Sequence, residues 1–273
     1  MNIRKTSEIS SDVDSLIITS TTVRHKFFAL KILKSIPNSF VIFEPRDRID
    51  YYKVKIDDIM SDHFEGLFKE EEFFFQEEVK KNENFLESKT LGYVDKDEIN
   101  STLFLDIISR LNPKCIALYS VSILRDEIIS KFSKRLFNVH AGLSPYYRGT
   151  ATNIWPIINN ELEFIGMTIH HIDKGIDSGG LIIQDRPVIS EFDNTHTMAC
   201  KNTILSADLM IKALNRLLET GSVPDVKQDL SLGRQYFFKD FDVNTVKKLY
   251  KLLGQGIVKQ YLSSPKEVDI VVW

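Results

Sequence analysis

Cysteine is scarce in this chain. There are two in 273 residues, Cys115 and Cys200, and neither lies in a CxxC arrangement. That argues against a disulfide framework and for buried thiols in a reducing compartment, so a cytoplasmic protein is the expectation. Long apolar runs are missing too. The longest near the N-terminus spans only Leu16 to Ile18, too short for a signal-peptide core. No stretch approaches the roughly 20 apolar residues that cross a bilayer. Charge of one sign is absent: 35 Lys+Arg stand against 38 Asp+Glu, a net charge of −3. This mild acidity argues against a protein built to grip nucleic acid. No GxGxxG motif, repeat or low-complexity linker occurs, so a nicotinamide enzyme lacks its fingerprint. What remains is 43% hydrophobic and 27% charged, the composition of one large globular domain or of a domain with a small appendage.

Short apolar runs alternate with amphipathic stretches. Residues 16–19, 40–43, 115–119 and 136–140 read as buried strands, with a further one over 90–94. Helical spacing predicts helices over 24–34, 102–111 and 126–132, and one or two within 56–81. In that last region Glu70–Glu72 and Phe73–Phe75 predict a wet face and a packed face. Gly142, Pro145 and Gly149 make 141–149 a loop. A helix over 152–160 with Pro156 in its first turn, strands over 164–172 and 181–189, and a long helix over 197–220 stopped by Gly221 follow. Strand–helix alternation of this kind implies βαβ units and an α/β fold with a mainly parallel sheet. From Phe237 a turn, a helix over 243–253 and a tail form a last module. The expected division is 1–235 for the main domain and 236–273 for a small C-terminal extension, helical in pattern.

Three features concentrate chemistry. Asn138 and His140 end a predicted strand and, being two residues apart, point to one side of it. They face a cleft at the carboxyl edge, where open α/β sheets bind ligands. The loop Leu143-Ser144-Pro145-Tyr146-Tyr147-Arg148-Gly149 follows at once and offers aromatic and cationic contacts. The segment from His170 to Gly180 then joins two strands and returns an acid, Asp177, toward the same edge. An amide, an imidazole and a carboxylate suit acyl transfer. The amide N–H holds a developing oxyanion, a donor contributing roughly 3 kcal/mol. The imidazole moves protons near neutral pH, contributing on the order of 10²–10⁴ in rate. The carboxylate orients the imidazole, raises its pKa or holds a water. By spacing alone a structural strand-end histidine is the competing reading.

The run FNVHAGLSPYYRGTATNIWPIINNELEFIGMTIHHIDKGIDSGGLII resembles the formyltransferases that use 10-formyltetrahydrofolate. Their pattern is Asn-Ile-His, then Ser-Leu-Leu-Pro-x-Tyr-Arg-Gly, then a strand and a Leu-Asp-Thr-Gly-like loop. The close match covers about residues 116–187, with a fainter one over the rest of the Rossmann-like region and the turn at 236–241. The resemblance implies that Asn138, His140 and Asp177 are catalytic, that 10-formyltetrahydrofolate is the co-substrate, and that no metal takes part. It also implies a pterin pocket lined by Tyr119, Ser120, Val121, Ser122, Ile123 and Leu124, with Ile128 and Leu136. Backbone groups of Ile172, Asp173, Lys174, Gly175 and Ile176 would meet the pterin. Ordinary core packing is the alternative for these apolar residues, above all for Leu136. Ser144 replaces the usual second Leu and Ser178-Gly179-Gly180 follows the acid, departures that would reshape the acceptor side.

Members so resembled act on initiator tRNA, on glycinamide ribonucleotide or on amino sugars, and one hydrolyses the donor. The tRNA enzymes carry a substantial C-terminal β-barrel, whereas 37 residues follow Tyr236 here, close to the floor of about 40 for an independent domain. The hydrolase carries an N-terminal regulatory domain, for which a first strand at about Leu16 leaves no room. The ribonucleotide enzymes hold phosphate with a Gly-rich turn after the first strand. Here Ser20-Thr21-Thr22-Val23-Arg24-His25 has no glycine, and Thr22, Arg24 and His25 offer side-chain contacts at a helix start instead. An Arg-His pair there resembles members that formylate nucleotide-linked amino sugars for surface polysaccharide such as lipopolysaccharide. A small sugar-nucleotide partner is therefore expected, rather than nucleic acid or membrane, and a homodimer is left open. Its base would stack on Tyr146, Tyr147 or Trp155, with Arg148 and Gly149 beside it. The alternatives are glycinamide ribonucleotide, then methionyl-tRNA. Outside the class stands a metal-dependent hydrolase using His140, Asp177 and one of His170 and His171, which as strand neighbours point to opposite faces. A folate-binding module without transfer is a third.

Overall fold

The strand β2 (Ser15–Thr19) is buried at every position, as an apolar, β-branched run is when helices cover both faces of a parallel sheet. A computed structural model, describing residues 2–3, 13–45 and 57–273, places it near the centre of one sheet. The order is β1 (Asn2–Ile3), β4 (Thr90–Tyr93), β3 (Ser39–Phe43), β2, β5 (Cys115–Tyr119), β6 (Leu136–Ala141), β8 (Met167–His171), β9 (Leu181–Asp185). From β4 to β6 all pairs are parallel. The edges, β1 on one side and β8 and β9 on the other, are antiparallel. The expected mainly parallel, Rossmann-like sheet is thus present. A separate parallel pair joins β7 (Tyr147–Gly149) to β10 (Arg234–Tyr236).

Connections explain where a crevice opens. The chain leaves β2 for β3 and β4 on one side and returns to β5 and β6 on the other, so the carboxyl ends of β2 and β5 flank the switch point. Thr19 Oγ1 donates to the Tyr119 carbonyl across it at 2.8 Å. Helices α1 (Val23–Ser35) and α7 (Thr195–Thr220) cover one face, packing Phe28, Ile32 and Met210 on Ile17, Ala117 and Phe137. Helices α4 (Thr102–Leu111) and α5 (Asp126–Lys131) cover the other, over Leu16, Ile18 and Leu118. In α4, Phe104, Ile108 and Leu111 form the buried stripe; Ser101 caps its start and left-handed Asn112 ends it.

Several predicted boundaries move. The helix over 152–160 contracts to α6 (Trp155–Ile158), with Pro156 in its first turn as expected. The strand over 164–172 begins only at Met167, because Leu162–Phe164 is a 3₁₀ turn. The strand over 181–189 stops at Asp185, just before Pro187, which has no N–H for a ladder. The Phe-rich region is α2 (Asp58–Lys81) followed by α3 (Glu83–Lys89); its predicted start at Ile56 lies outside the described residues. Its two faces divide differently from the Glu and Phe blocks. Glu71 lies inside, on the stripe of Phe64, Phe68, Phe75 and Val79, and pairs with Arg24 at 2.6 Å. Phe73 is 84% exposed. Positions 71 and 75 are four apart and share a face, whereas 73 is rotated away.

Residues beyond 236 form α8 (Val243–Gly254) and α9 (Ile257–Ser263). Their Val246, Leu249, Ile257 and Val258 pack in one cluster with Phe64, Phe68, Ile157 and Ile165 of the preceding chain. The tail runs along β9: Gln184 N–H donates to the Val271 carbonyl at 2.7 Å, and Trp273 Nε1 to the Ile182 carbonyl at 2.7 Å. Where α2, α7 and α8 meet, buried His63 and His196 both contact Tyr250 Oη, at 3.1 and 3.2 Å.

Two outcomes follow. Leu249→Ala should cost about 2–5 kcal/mol in urea unfolding while keeping one cooperative transition; a separate early transition for the C-terminal helices would show that they are not part of this core. His63, His171 and His196 are each pushed by burial from 6.5 to about 4. The unfolded chain binds those protons at higher pH than the folded one. Their contribution is therefore complete above about pH 6.5 and is lost as pH falls toward 4. The urea midpoint should drop across that window, less steeply in a His63→Gln, His196→Gln double variant; equal slopes would refute the assignment.

Candidate active site

Strand β6 carries Asn138 and His140 on one face, and the antiparallel register sets His170 directly opposite Asn138. Asn138 Nδ2 donates to His170 Nε2 at 3.0 Å, while His170 Nδ1 donates to the His171 carbonyl at 2.7 Å. Those two contacts assign the proton of His170 to Nδ1. His140 Nε2 donates to the Tyr147 carbonyl at 2.7 Å, and its Nδ1 lies 3.3 Å from Asp177 Oδ2. Asp177 also lies 3.5 Å from His170 Nε2 and accepts from the Gly149 N–H at 2.9 Å. The three residues expected to be catalytic thus converge, with His170 as a fourth member. His171 turns to the other face, against Phe137.

His140 and Asp177 are tuned by this crowding. Burial alone would raise the Asp177 pKa. The charge of His140, the neighbouring His170 ring and the hydrogen bond from the Gly149 N–H outweigh it, and hold the carboxyl well below the usual carboxylate range. Burial pushes His140 down, with His170 and Arg148 adding to that effect and Asp177 opposing it. An imidazolium at His140 therefore depends on the Asp177 carboxylate. Asp177 itself is left-handed, with φ +49°, a conformation non-glycine residues adopt at a cost. Gly149, at φ +96°, has a backbone so close to Tyr236 that a Cβ would collide with the Tyr236 carbonyl.

A small network aims the loop after β6. Thr168 Oγ1 donates to the Gly142 carbonyl at 2.8 Å and accepts from Ser144 N–H at 3.1 Å. Gln184 Nε2 reaches the Ser144 carbonyl at 2.7 Å. Tyr147, expected as a stacking surface for a base, is buried instead: its hydroxyl donates to Glu161 and its ring stacks on Tyr236. Trp155 is likewise buried, stacked on Tyr236 at 4.4 Å. Tyr146 is half-buried against Phe164. Arg148 is buried, with Nη2 on the Leu230 carbonyl at 3.2 Å.

The segment expected to line a pterin slot leaves β5 through left-handed Ser120, φ +56°. Leu124, Ile128 and Leu136 are buried in one apolar core cluster, Leu136 at 1% exposure, and only Val121 and Ile172 stand half-buried against it. Ile123 does not join them; it is 83% exposed, because Asn100 bonds the Ile123 carbonyl and the Arg125 N–H and fixes the turn outward. Ser122 donates its N–H to buried Glu44 at 2.7 Å and its hydroxyl to the same carboxylate. In the loop 172–176, Asp173 accepts from the Gly175 N–H at 3.0 Å and from Ser178 Oγ at 2.5 Å, Lys174 reaches Asp126 at 2.5 Å, and Ile176 is exposed. Tyr119 stands between the two sides of the switch point with its ring against His25. His25 is buried and bonded to Thr22 Oγ1 at 2.7 Å, so it braces the start of α1 rather than facing outward. Among the described residues, no three His, Cys, Asp or Glu side chains are grouped to hold a metal ion, and no helix is long and apolar enough to cross a membrane.

His170, Glu44 and Gln228, whose Nε2 bonds the Asp177 carbonyl at 2.8 Å, escaped the sequence as site residues. His170 appeared there only as an alternative metal ligand. Each contributes through a contact between segments far apart in the chain, and no local pattern marks it.

Comparison with known proteins identifies a family and a fold. The family described as formyl transferase matches residues 64–214, more than half of the chain. The methionyl-tRNA formyltransferase of Caldanaerobacter subterraneus is 35% identical over 131 residues, 48% of this chain and 42% of that protein. The matched part of this chain thus spans less than half the length of that relative. An N-formyltransferase from Helicobacter canadensis, solved with folinic acid and dTDP-3-aminofucose, shares the fold at a TM-score of 0.54 and 20% identity, over 87% of this chain and 80% of that one. The phosphoribosylglycinamide formyltransferase of Anaplasma phagocytophilum shares it at 0.55 and 12%, over 82% and 97%. On the match across the Asn138–Asp177 region, this chain belongs to the formyl transferase family.

Proposed function

We propose that this chain transfers the formyl group of 10-formyltetrahydrofolate to the amine of a nucleotide-linked amino sugar, a step in surface-glycan synthesis. The observation that carries the transfer reaction is the convergence of Asn138, His140 and Asp177. A pterin would meet half-buried Val121 and Ile172, at the margin of the apolar cluster that buries Leu124, Ile128 and Leu136, with the backbone of residues 173–176 supplying polar groups beside it. The acceptor amine attacks the formyl carbon, a new C–N bond forms, the bond from that carbon to the folate nitrogen breaks, and one proton passes from the amine to the departing nitrogen. Asn138 Nδ2 has two hydrogens. One meets His170, and the other serves the tetrahedral oxyanion. His140, as imidazolium, adds charge stabilisation, and Asp177 supports that charge and the proton's movement.

The acceptor side is supported by the start of α1. Its first turn has no acidic residue, Arg24 lies there half-buried, and the crevice of the switch point adjoins it. Such a helix start favours phosphate oxygens. Thr22, Tyr146 and Gly149 are proposed to face the acceptor, with Arg24 beside them in its pair with Glu71, whereas Arg148 is buried and turned to the Leu230 carbonyl. The Helicobacter canadensis protein's dTDP-3-aminofucose agrees with this choice. Methionyl-tRNA is the second reading, favoured by the names of the sequence relatives. The cytoplasm is the proposed compartment, consistent with two buried, unpaired cysteines.

A panel of dTDP- and UDP-linked amino sugars, glycinamide ribonucleotide and methionyl-tRNA with 10-formyltetrahydrofolate, read by mass, tests the acceptor. A formylated amino sugar is expected; formylation of either other acceptor alone overturns the choice. Asn138→Ala, His140→Ala and Asp177→Ala should each lower kcat by about 10²-fold or more at saturating donor, with the fold retained by circular dichroism. Near-normal turnover in any of them removes its assigned role.

A further inference from the structure

We propose that Gln228 is a positioning residue for the reaction: its side-chain amide holds the backbone of the Asp177 turn where the carboxylate meets His140 and Gly149. The inference rests on the formyl-transfer reading above.

The turn has support from outside it. Asp177 is left-handed, the turn's internal bonds run from Ser178 Oγ and Gly175 N–H to Asp173, and the Gly180 carbonyl after it accepts from the His171 N–H at 2.9 Å. Gly179 is wedged under the His171 carbonyl, where no Cβ fits. The carbonyls of Asp177 and Gly179 both accept from Gln228 Nε2, at 2.8 and 2.6 Å. Two carbonyl partners leave one orientation of the amide, with the NH₂ toward them. Gln228 is buried, and its Oε1 has no partner among the described residues. A side chain kept at that disadvantage is held for its donors.

Gln228 is itself anchored to both loops of the site. Val226 and Leu181 exchange backbone hydrogen bonds at 2.8 Å. The Leu230 carbonyl accepts from Arg148 Nη2, Arg234 N–H donates to the Tyr146 carbonyl at 2.9 Å, and β10 pairs with β7. The segment 226–236 thus straps the loop of Gly149 to the turn of Asp177.

The test uses the whole chain and two variants. Gln228→Met keeps the volume and removes both donors; Gln228→Asn keeps the amide on a shorter arm. The groups facing His140 are Asp177, His170, Arg148 and the Tyr147 carbonyl, and of the charged ones only Asp177 favours its imidazolium. Gln228→Met should lower kcat about 10- to 100-fold, leave both KM values within about twofold, and move the His140 titration, followed by imidazole NMR, to lower pH. Gln228→Asn should recover part of kcat and of the titration. An unmoved His140 titration with kcat within about twofold of the parent overturns the proposal. So does a rise in KM alone. If the parent chain formylates no acceptor, the proposed reaction fails, and the His140 titration still decides the positioning role by itself. If Gln228→Met does not fold, the Gln228→Asn titration decides in its place: a shift supports the proposal and none rejects it.

Discussion

The carboxylate of Asp177 is the constraint on which the site's geometry depends. It takes a backbone N–H from β7, faces a histidine on β6 and a histidine on β8, and so ties three strands at one point. A carboxylate with only 16% of its side chain exposed is tolerable there because charge and hydrogen bonds surround it. That requirement runs outward. His140 keeps its ring oriented because Nε2 is held by the Tyr147 carbonyl and Nδ1 faces the acid. Asn138 keeps its amide oriented because His170 accepts from it. Groups held in this way are already oriented for the proposed transfer.

The loop between β6 and β8 is built to present backbone more than side chains. Its Tyr147 carbonyl and Gly149 N–H touch the site, while the Tyr147 ring is sunk among Trp155, Tyr236 and Phe164. Sinking a large aromatic fixes the adjacent peptide groups. The same aromatic cluster draws in the C-terminal helices through Phe241, Val246 and Leu249. Packing far from the chemistry thereby sets the position of two hydrogen-bonding atoms inside it.

Much of this was legible from order and periodicity. The buried strands 115–119 and 136–140, the helix 102–111, and the long helix ending at Gly221 all follow from local rules that the fold obeys. Asn138 and His140 shared a face because strand geometry has a period of two. Less was legible where a side chain's fate depended on a distant partner. Glu71 reads as a solvated residue until Arg24 meets it from another helix. Tyr147 and Trp155 read as available aromatics until Tyr236 stacks on both. Ile123 reads as pocket lining until Asn100 turns its peptide outward.

The amino-acid sequence by itself determined the α/β class and the family pattern, and through that resemblance pointed to Asn138, His140 and Asp177, because hydropathy periodicity and motif residues survive without coordinates. Only the tertiary structure decided that His170 stands opposite Asn138, that Gln228 lies behind Asp177, and that the aromatic loop faces inward. Those facts depend on which strands pair antiparallel at the sheet edge and on how residues 226–236 return to it. Strand register and long-range return are set by the total burial of the chain, a quantity that no local segment carries.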